Sequence, residues 1–475
     1  MNNISHNMPT IVCCICFPMV LCALGAQTST LPPDPNNGAL LYYQAFLSRP
    51  EPDYVAEQLV YETRMEQFND VLRGGKLEFG TDTEEQIRQL EEQLDDPNKA
   101  PPEVREMMLK LRQVMPEGNY EGQVRSTISR LRQRLEHEQK MAGVDPNKEI
   151  RNYLRECRGT IELAQAASEV SECDWGFLYS RGFTLNAPQL TEIRELGTLL
   201  RTDALLLAAD GDYRAAFRRC LMIRRFARHV GDEGIFPYST STTLDGSALY
   251  CMRVLFGHMK PDVEILTWLK GELLTETGSP PSVARAFMTE MELALRKLRT
   301  NQQLLKSVRD EFVEKAGDDE AAKTIAGLTD EEFIALVQKP YADVLSSLLQ
   351  VMASEAPHTQ KLADMQRLAS ELEGQFERYF FIHMVMYRPE SAPSLYTHQV
   401  LHESSCNAFM AGMEIYLARA KTGRLPEELP AGLPKDPFTG KDFTYEVIKD
   451  GFGLSFPDKN VPKLKNRRYE FKVRR

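Results

Sequence analysis

Along most of this chain apolar residues recur at the three- and four-residue steps that put them on one side of a helix, and the width of the stripe changes from region to region. From Ala39 to Pro50, Leu40, Leu41, Tyr43, Ala45 and Leu47 run up to an Arg-Pro stop and predict a short amphipathic helix. A longer helix follows to Arg73, ended by Gly74-Gly75. Between 81 and 142 the stripe narrows to Ile87, Leu90 and Leu94, then Val124, Ile128, Leu131 and Leu135. That is the spacing of helices that pair along a seam rather than sink into a core. Residues 38–142 are therefore expected to form a helical arm, partly coiled-coil-like, broken at Asp96-Pro97, Pro101-Pro102 and Pro116-Glu117-Gly118.

Broader apolar faces predict a helical bundle over 146–393. Pro188 suits the first turn of a helix carrying Leu190, Ile193, Leu196 and Leu200 on one face. The run Leu205 to Ala216 turns at Asp210-Gly211-Asp212 and resembles a single tetratricopeptide-type hairpin (196–230). No second copy follows at the period of about 34 residues that a solenoid needs, so the hairpin belongs to the bundle. Further helices are expected at about 240–257, 262–274, 281–316, 330–353, 358–387 and 394–422, the one at 330 opened by a capping box from Thr329 to Glu332. After Gly423 the pattern changes. Pro426, Pro430, Pro434 and Pro437 forbid a helix, Phe443 to Ile448 and Phe452 to Phe456 read as a hairpin around Lys449-Asp450-Gly451, and Tyr469 to Val473 alternates as a further strand. The fold class is mainly α: a multi-helix bundle with a helical arm and a small C-terminal α+β lobe built on a β-hairpin.

Tyr416 to Pro426, with Gly423 and Pro426 closing a helix, then Leu433-Pro434-Lys435-Asp436-Pro437 leading through Tyr445 to Leu454-Ser455, resembles the C-terminal lobe of the major pseudopilins of type II secretion. The resemblance covers about 411–458 within an expected lobe at 394–458 and implies fold, with Asp436 capping a turn that Pro437 stiffens. Pseudopilins carry their assembly helix directly before this lobe, whereas about 400 residues precede it here, and no calcium ligand is carried over to Phe456-Pro457-Asp458. Helical block and tail together are also similar to a group of uncharacterised bacterial envelope proteins, which implies localisation and no mechanism.

The start of the chain points the same way. The first charged side chain is Asp34, and Ile11 to Ala26 is an unbroken run of apolar and small residues, shorter than the ~20 residues of a spanning helix. Residues 1–26 read as a secretory signal cut near Gly25 or Ala26, and 27–37 as a linker. Residues 1–10 carry no Lys or Arg, so an uncleaved short anchor is the alternative and the one expected route to a membrane. The expected location is the periplasm or cell envelope.

Composition narrows the partners. A net charge of −11 disfavours nucleic acid, whose phosphates are gripped by basic surfaces. Of the nine cysteines, Cys13, Cys14, Cys16 and Cys22 lie in the signal; Cys157, Cys173, Cys220, Cys251 and Cys406 are scattered without a C-x-x-C pair. Either Cys157 bridges Cys173 or all five are separate buried thiols. Residues 459–475 form a basic tail.

For chemistry, the best metal candidates are His398, His402 and Cys406, spaced i, i+4, i+8 on one helical face beside Glu403. Imidazole and thiolate suit zinc, which is the cofactor this set would take. The bland alternative is polar residues of an ordinary bundle helix. His383, inside Tyr379 to Val385, reads as a core histidine. Asp210 and Asp212 are accounted for as turn residues, with cation binding or acid–base work as the alternative. Arg214, Arg218, Arg219, Arg224, Arg225 and Arg228 either form a solvated helix face or grip an anion. With no phosphate loop, nucleophile elbow or dinucleotide fingerprint, the expectation is a non-enzymatic binding or structural component of the envelope with protein partners. The alternatives are an exported zinc-dependent hydrolase using His398 and His402, and an accessory part of a pilin-like secretion system.

Overall fold

The computed structural model describes residues 37–62, isolated positions between 65 and 136, and 144–176, 188–231, 233–276, 281–316, 319–376, 392–457 and 468–474. The expected signal and linker, most of the arm, His383 and the start of the basic tail lie outside the described residues. Among the described residues no helix is long and apolar enough to cross a membrane.

The chain is mainly helical with a three-stranded antiparallel sheet at its end. Helix α1 (Gly38–Ser48) begins on the side chain of Asn37, and a short α2 (Tyr54–Glu57) runs into a π turn at Gln58–Glu62. Although it opens the region read as an arm, α1 is sunk in the core: Tyr42 and Ala45 are fully buried, and α1 packs along α4. Helix α3 (Pro146–Glu156) is capped by Asp145, whose carboxylate accepts from the Asn147 and Lys148 amides, and Pro146 fills the first turn. Helix α4 (Arg158–Glu169) follows at once.

The hairpin read from Leu205 to Ala216 is present as α5 (Pro188–Ala209) and α6 (Tyr213–Val230). Gly211 takes the positive φ of 92° that the turn needs, and Asp212 accepts from the Ala215 amide as N-cap. Asp210 is held by both Nη atoms of Arg151 on α3 at 2.9 and 2.6 Å. The two aspartates thus cap one helix and tie down another.

Next come α7 (Ile235–His258), α8 (Val263–Thr275), α9 (Val283–Thr300) and α10 (Gln302–Glu314). The single helix expected over 281–316 is two. Asn301 sits between them in extended conformation and its side chain accepts from the Leu304 amide, so a residue that competes for backbone hydrogen bonds ends α9 and caps α10. Helix α11 (Asp319–Gly327) precedes α12 (Asp330–Ala353), where the capping box is complete: the Glu332 amide donates to Thr329 Oγ1 and the Thr329 amide to Glu332 Oε2. The last helices are α13 (His358–Phe376) and the long α14 (Ala392–Thr422).

Strands β1 (Thr444–Ile448), β2 (Gly451–Ser455) and β3 (Arg468–Lys472) pair in the order β1-β2-β3. The end of the expected basic tail is therefore a strand, as the alternation of Tyr469, Phe471 and Val473 requires. Phe471 stacks on Phe452 at 4.8 Å, and both press on α14, where Gly412 leaves room for the Phe471 ring. Asp436 does cap its turn: Oδ1 accepts from the Phe438 amide and Oδ2 from the Thr439 amide and hydroxyl.

Two apolar cores result. One gathers α1, α3–α6, α8 and the sheet; the other gathers α9, α10, α12 and α13. Helices α7 and α14 contribute to both. Each fully buried large side chain stabilises the fold by roughly 1.5–3 kcal/mol before ordering costs are subtracted.

Candidate functional site

Helix α14 places His398, His402 and Cys406 one turn apart, as their spacing demands, but the helix rolls across its neighbours between the first and the second. His398 is exposed, whereas the His402 side chain is 17% exposed and faces α7 with Cys406. The third group that meets them is Asp245 of α7. His402 Nε2 lies 3.1 Å from Asp245 Oδ2, Cys406 Sγ lies 3.8 Å from the same oxygen, and Sγ and Nε2 are 3.9 Å apart. Glu403, the next residue, is exposed and outside this triangle.

The other oxygen of Asp245 is taken. Arg224 of α6 donates from Nε to Oδ1 at 2.8 Å and reaches Glu276 at 3.4 Å; Arg228 meets Glu276 at 2.5 Å. Alternating charge therefore runs from Glu276, just beyond α8, through Arg224 to Asp245 and His402, with side chains of Arg224 and Asp245 only 11% and 10% exposed. Burial works against the charged forms here, and partners overrule it at the centre. Despite burial, the Arg224 guanidinium and the His402 hydrogen bond hold the Asp245 carboxyl down to about 2. Burial likewise disfavours a charged His402, yet the bond to Asp245 and the contact with Cys406 push its pKa up to about 10. For Glu276 burial prevails over both arginines and its pKa is raised.

The arginines read as an anion grip or a solvated face are mostly committed to bonds between helices. Arg219 pairs with Asp203 of α5 at 2.6 Å, Arg225 with Glu272 of α8 at 3.4 Å and Arg214 with Glu264 at 3.3 Å. Arg214 and Arg218 also stack over Trp268, at 5.0 and 5.8 Å from its ring centre.

At the outer end of this network a cavity of about 750 Å³ opens between the C-terminal ends of α4, α6 and α8, lined by Arg225, Arg228, His229, Glu272, Glu276 and Arg285 among others. His229 forms its inner wall: Nδ1 lies 3.1 Å from the Tyr42 hydroxyl, and its carbonyl accepts from Trp175 Nε1 at 2.7 Å. Burial, with Arg225 and Arg228 close by, lowers the His229 pKa.

Cys157 and Cys173 are both free thiols, as are the other three described cysteines. Cys220 on α6 and Cys251 on α7 are fully buried against each other, and burial raises the Cys220 thiol well above its ordinary value.

His402 and Cys406 were legible from helical spacing; Asp245 was not, because it lies 157 positions from His402 in sequence and belongs to no motif. One signal for it existed: Asp245 is the single acidic residue of α7, in a helix otherwise apolar, hydroxylic or small around it. A lone carboxylate in such a helix needs a buried partner. No family model matches this sequence, and neither a curated protein nor a solved structure matches it.

Proposed function

We propose that the chain is an exported, non-enzymatic binding or structural component of the bacterial envelope, and that it engages a partner through the charged cavity between α4, α6 and α8. The cavity carries the reading. Its volume of about 750 Å³ falls in the range of roughly 300–1,000 Å³ typical of binding pockets. Its lining is dominated by ionisable groups rather than the apolar walls of most small-molecule pockets, and Arg225 and Arg228 are already paired with Glu272 and Glu276. Such walls match a partner that presents polar and charged side chains of both signs. Export rests on the uncharged run from Ile11 to Ala26.

The test is crosslinking in the native cell. A photo-reactive residue at exposed Ser171 or Thr275, on the cavity rim, is expected to give a discrete protein adduct in the envelope fraction, and one at exposed Lys306 on α10 to give none. Recovery of the chain in the cytosol with residues 1–26 intact and no adduct from either rim position would overturn the reading.

A further inference from the structure

The geometry points to a zinc-class metal site made by Asp245 Oδ2, His402 Nε2 and Cys406 Sγ, with a fourth position left for water or a partner's ligand. It goes beyond the binding role above and does not depend on it.

Three observations carry it. The donor set is the first: one carboxylate, one imidazole and one thiol, each offering an atom within 4.8 Å of the others. These are the ligand types of zinc, in the three-ligand arrangement that leaves a coordination position open. The second is the shape of the triangle. A tetrahedral zinc ion bonded at about 2.3 Å to sulfur, about 2.05 Å to imidazole and about 2.0 Å to a carboxylate oxygen sets these atoms about 3.6 Å (S–N), about 3.3 Å (N–O) and about 3.5 Å (S–O) apart. The observed edges are 3.9, 3.1 and 3.8 Å, so an ion enters with shifts of a few tenths of an ångström. Ligands at i and i+4 of the long α14 face a third on α7, and both helices are anchored in both cores, which fixes the triangle.

The third is what surrounds it. Arg224 holds Oδ1 of Asp245 and leaves Oδ2, the oxygen that faces His402 and Cys406. A ligating carboxylate whose second oxygen is fixed by an outer hydrogen bond is the usual support of such a site. The guanidinium opposes a cation, and Glu276, 3.4 Å from Arg224 and shared with Arg228, does not cancel it. The carboxylate and the thiolate themselves supply the negative charge a dication needs. His398 stays outside the set, exposed one turn earlier on α14.

The full chain, stripped of metal and reduced, is loaded with zinc or cobalt, desalted and assayed for bound metal, with cobalt also read by its thiolate charge-transfer absorption. Metal held by thiols outside the site, Cys13, Cys14, Cys16 and Cys22 among them, is common to every variant, so the signal is the difference between variants. C406S, nearly isosteric and so expected to keep the fold, should lose one equivalent of zinc and the corresponding absorption; H402A should lose the same equivalent, and H398A should retain it. Equal metal content in the unaltered chain and in C406S overturns the site. So does loss of the equivalent in H398A, which would place the metal on the exposed face of α14. Circular dichroism of H402A and D245N separates a lost ligand from a lost fold, and C406S decides the matter if both unfold.

Discussion

At the scale of single residues, the close approach of a helix to an aromatic ring decides what a position tolerates. Gly412 on α14 is the clearest case: a Cβ there would lie 2.4 Å from Phe471 Cε1 and 2.6 Å from Cζ, and the Phe471 ring is itself pinned between Phe452 and Tyr416. Gly412→Ala is expected to cost about 1–3 kcal/mol of overpacking in urea unfolding, against the small gain in helix propensity that an open site would show. His229 gives the pH dependence. Its pKa is lowered from the ordinary 6.5 by burial, so below that value the unfolded chain binds a proton that the folded chain resists. This contribution to stability is complete above 6.5 and is lost progressively as pH falls below it. Chemical denaturation of His229→Gln should show a shallower fall in stability than the unaltered chain between pH 6.5 and 5; an identical slope would mean that His229 charges freely in the fold. Side-chain roles of this kind were only half legible in the sequence. His402 and Cys406 announced themselves by local spacing, whereas Asp245, Arg224 and Glu276 meet them through tertiary packing that no local pattern encodes.

At the scale of elements, local rules served best where a single residue decides a boundary. Thr329 and Glu332 satisfy each other's backbone amides at the start of α12, and Thr329→Ala is expected to remove about 1 kcal/mol, read as a lower thermal midpoint. The α5–α6 turn at Gly211 and the β1–β2 turn at Gly451 were equally legible, since each needs a backbone conformation that the sequence marks with glycine. The break between α9 and α10 was missed because apolar periodicity continues across Asn301 while its side chain diverts the backbone. Between elements, α6 is clasped to α5 by the Arg219–Asp203 pair, whose side chains are 14% and 11% exposed. Removing one member strands the other in a poorly hydrated place, so Asp203→Ala should cost about 3–5 kcal/mol. Arg219 also donates to Gln165 of α4, and a loss well under 1 kcal/mol would show that this bond suffices.

At the scale of the whole molecule, the C-terminal sheet belongs to both cores. Phe443, Phe452, Leu454 and Phe471 pack into the first, and Phe438 and Phe456 into the second. Charge describes 459–475 as a basic tail, while the alternation of Tyr469, Phe471 and Val473 marked its end as a strand; what that strand is buried against was not legible, because its partners lie more than 50 residues away on α14. Tyr416 donates its hydroxyl to the Lys472 carbonyl, Phe471 is 1% exposed, and Val473 N donates to the Asp450 carbonyl at 2.8 Å. A chain ended at Pro457 loses β3, leaves the central strand β2 with one neighbour and uncovers Phe452 and the ring of Tyr416. The loss of Phe471 by itself is of the order of a large-to-small core substitution, about 3–5 kcal/mol, with the strand pairing in addition. Because α7 and α14 run through both cores, the damage should not stay local. Trp175 reports on the first core, and Phe333→Trp supplies a reporter in the second; in the truncated chain both transitions are expected to move to lower denaturant together. If only the Trp175 transition moved, the cores would be separate folding units joined by two continuous helices. If neither moved, β3 would be an appendage, as charge alone suggests, and the fixed triangle of Asp245, His402 and Cys406 between α7 and α14 would owe its rigidity to the helices without help from the sheet.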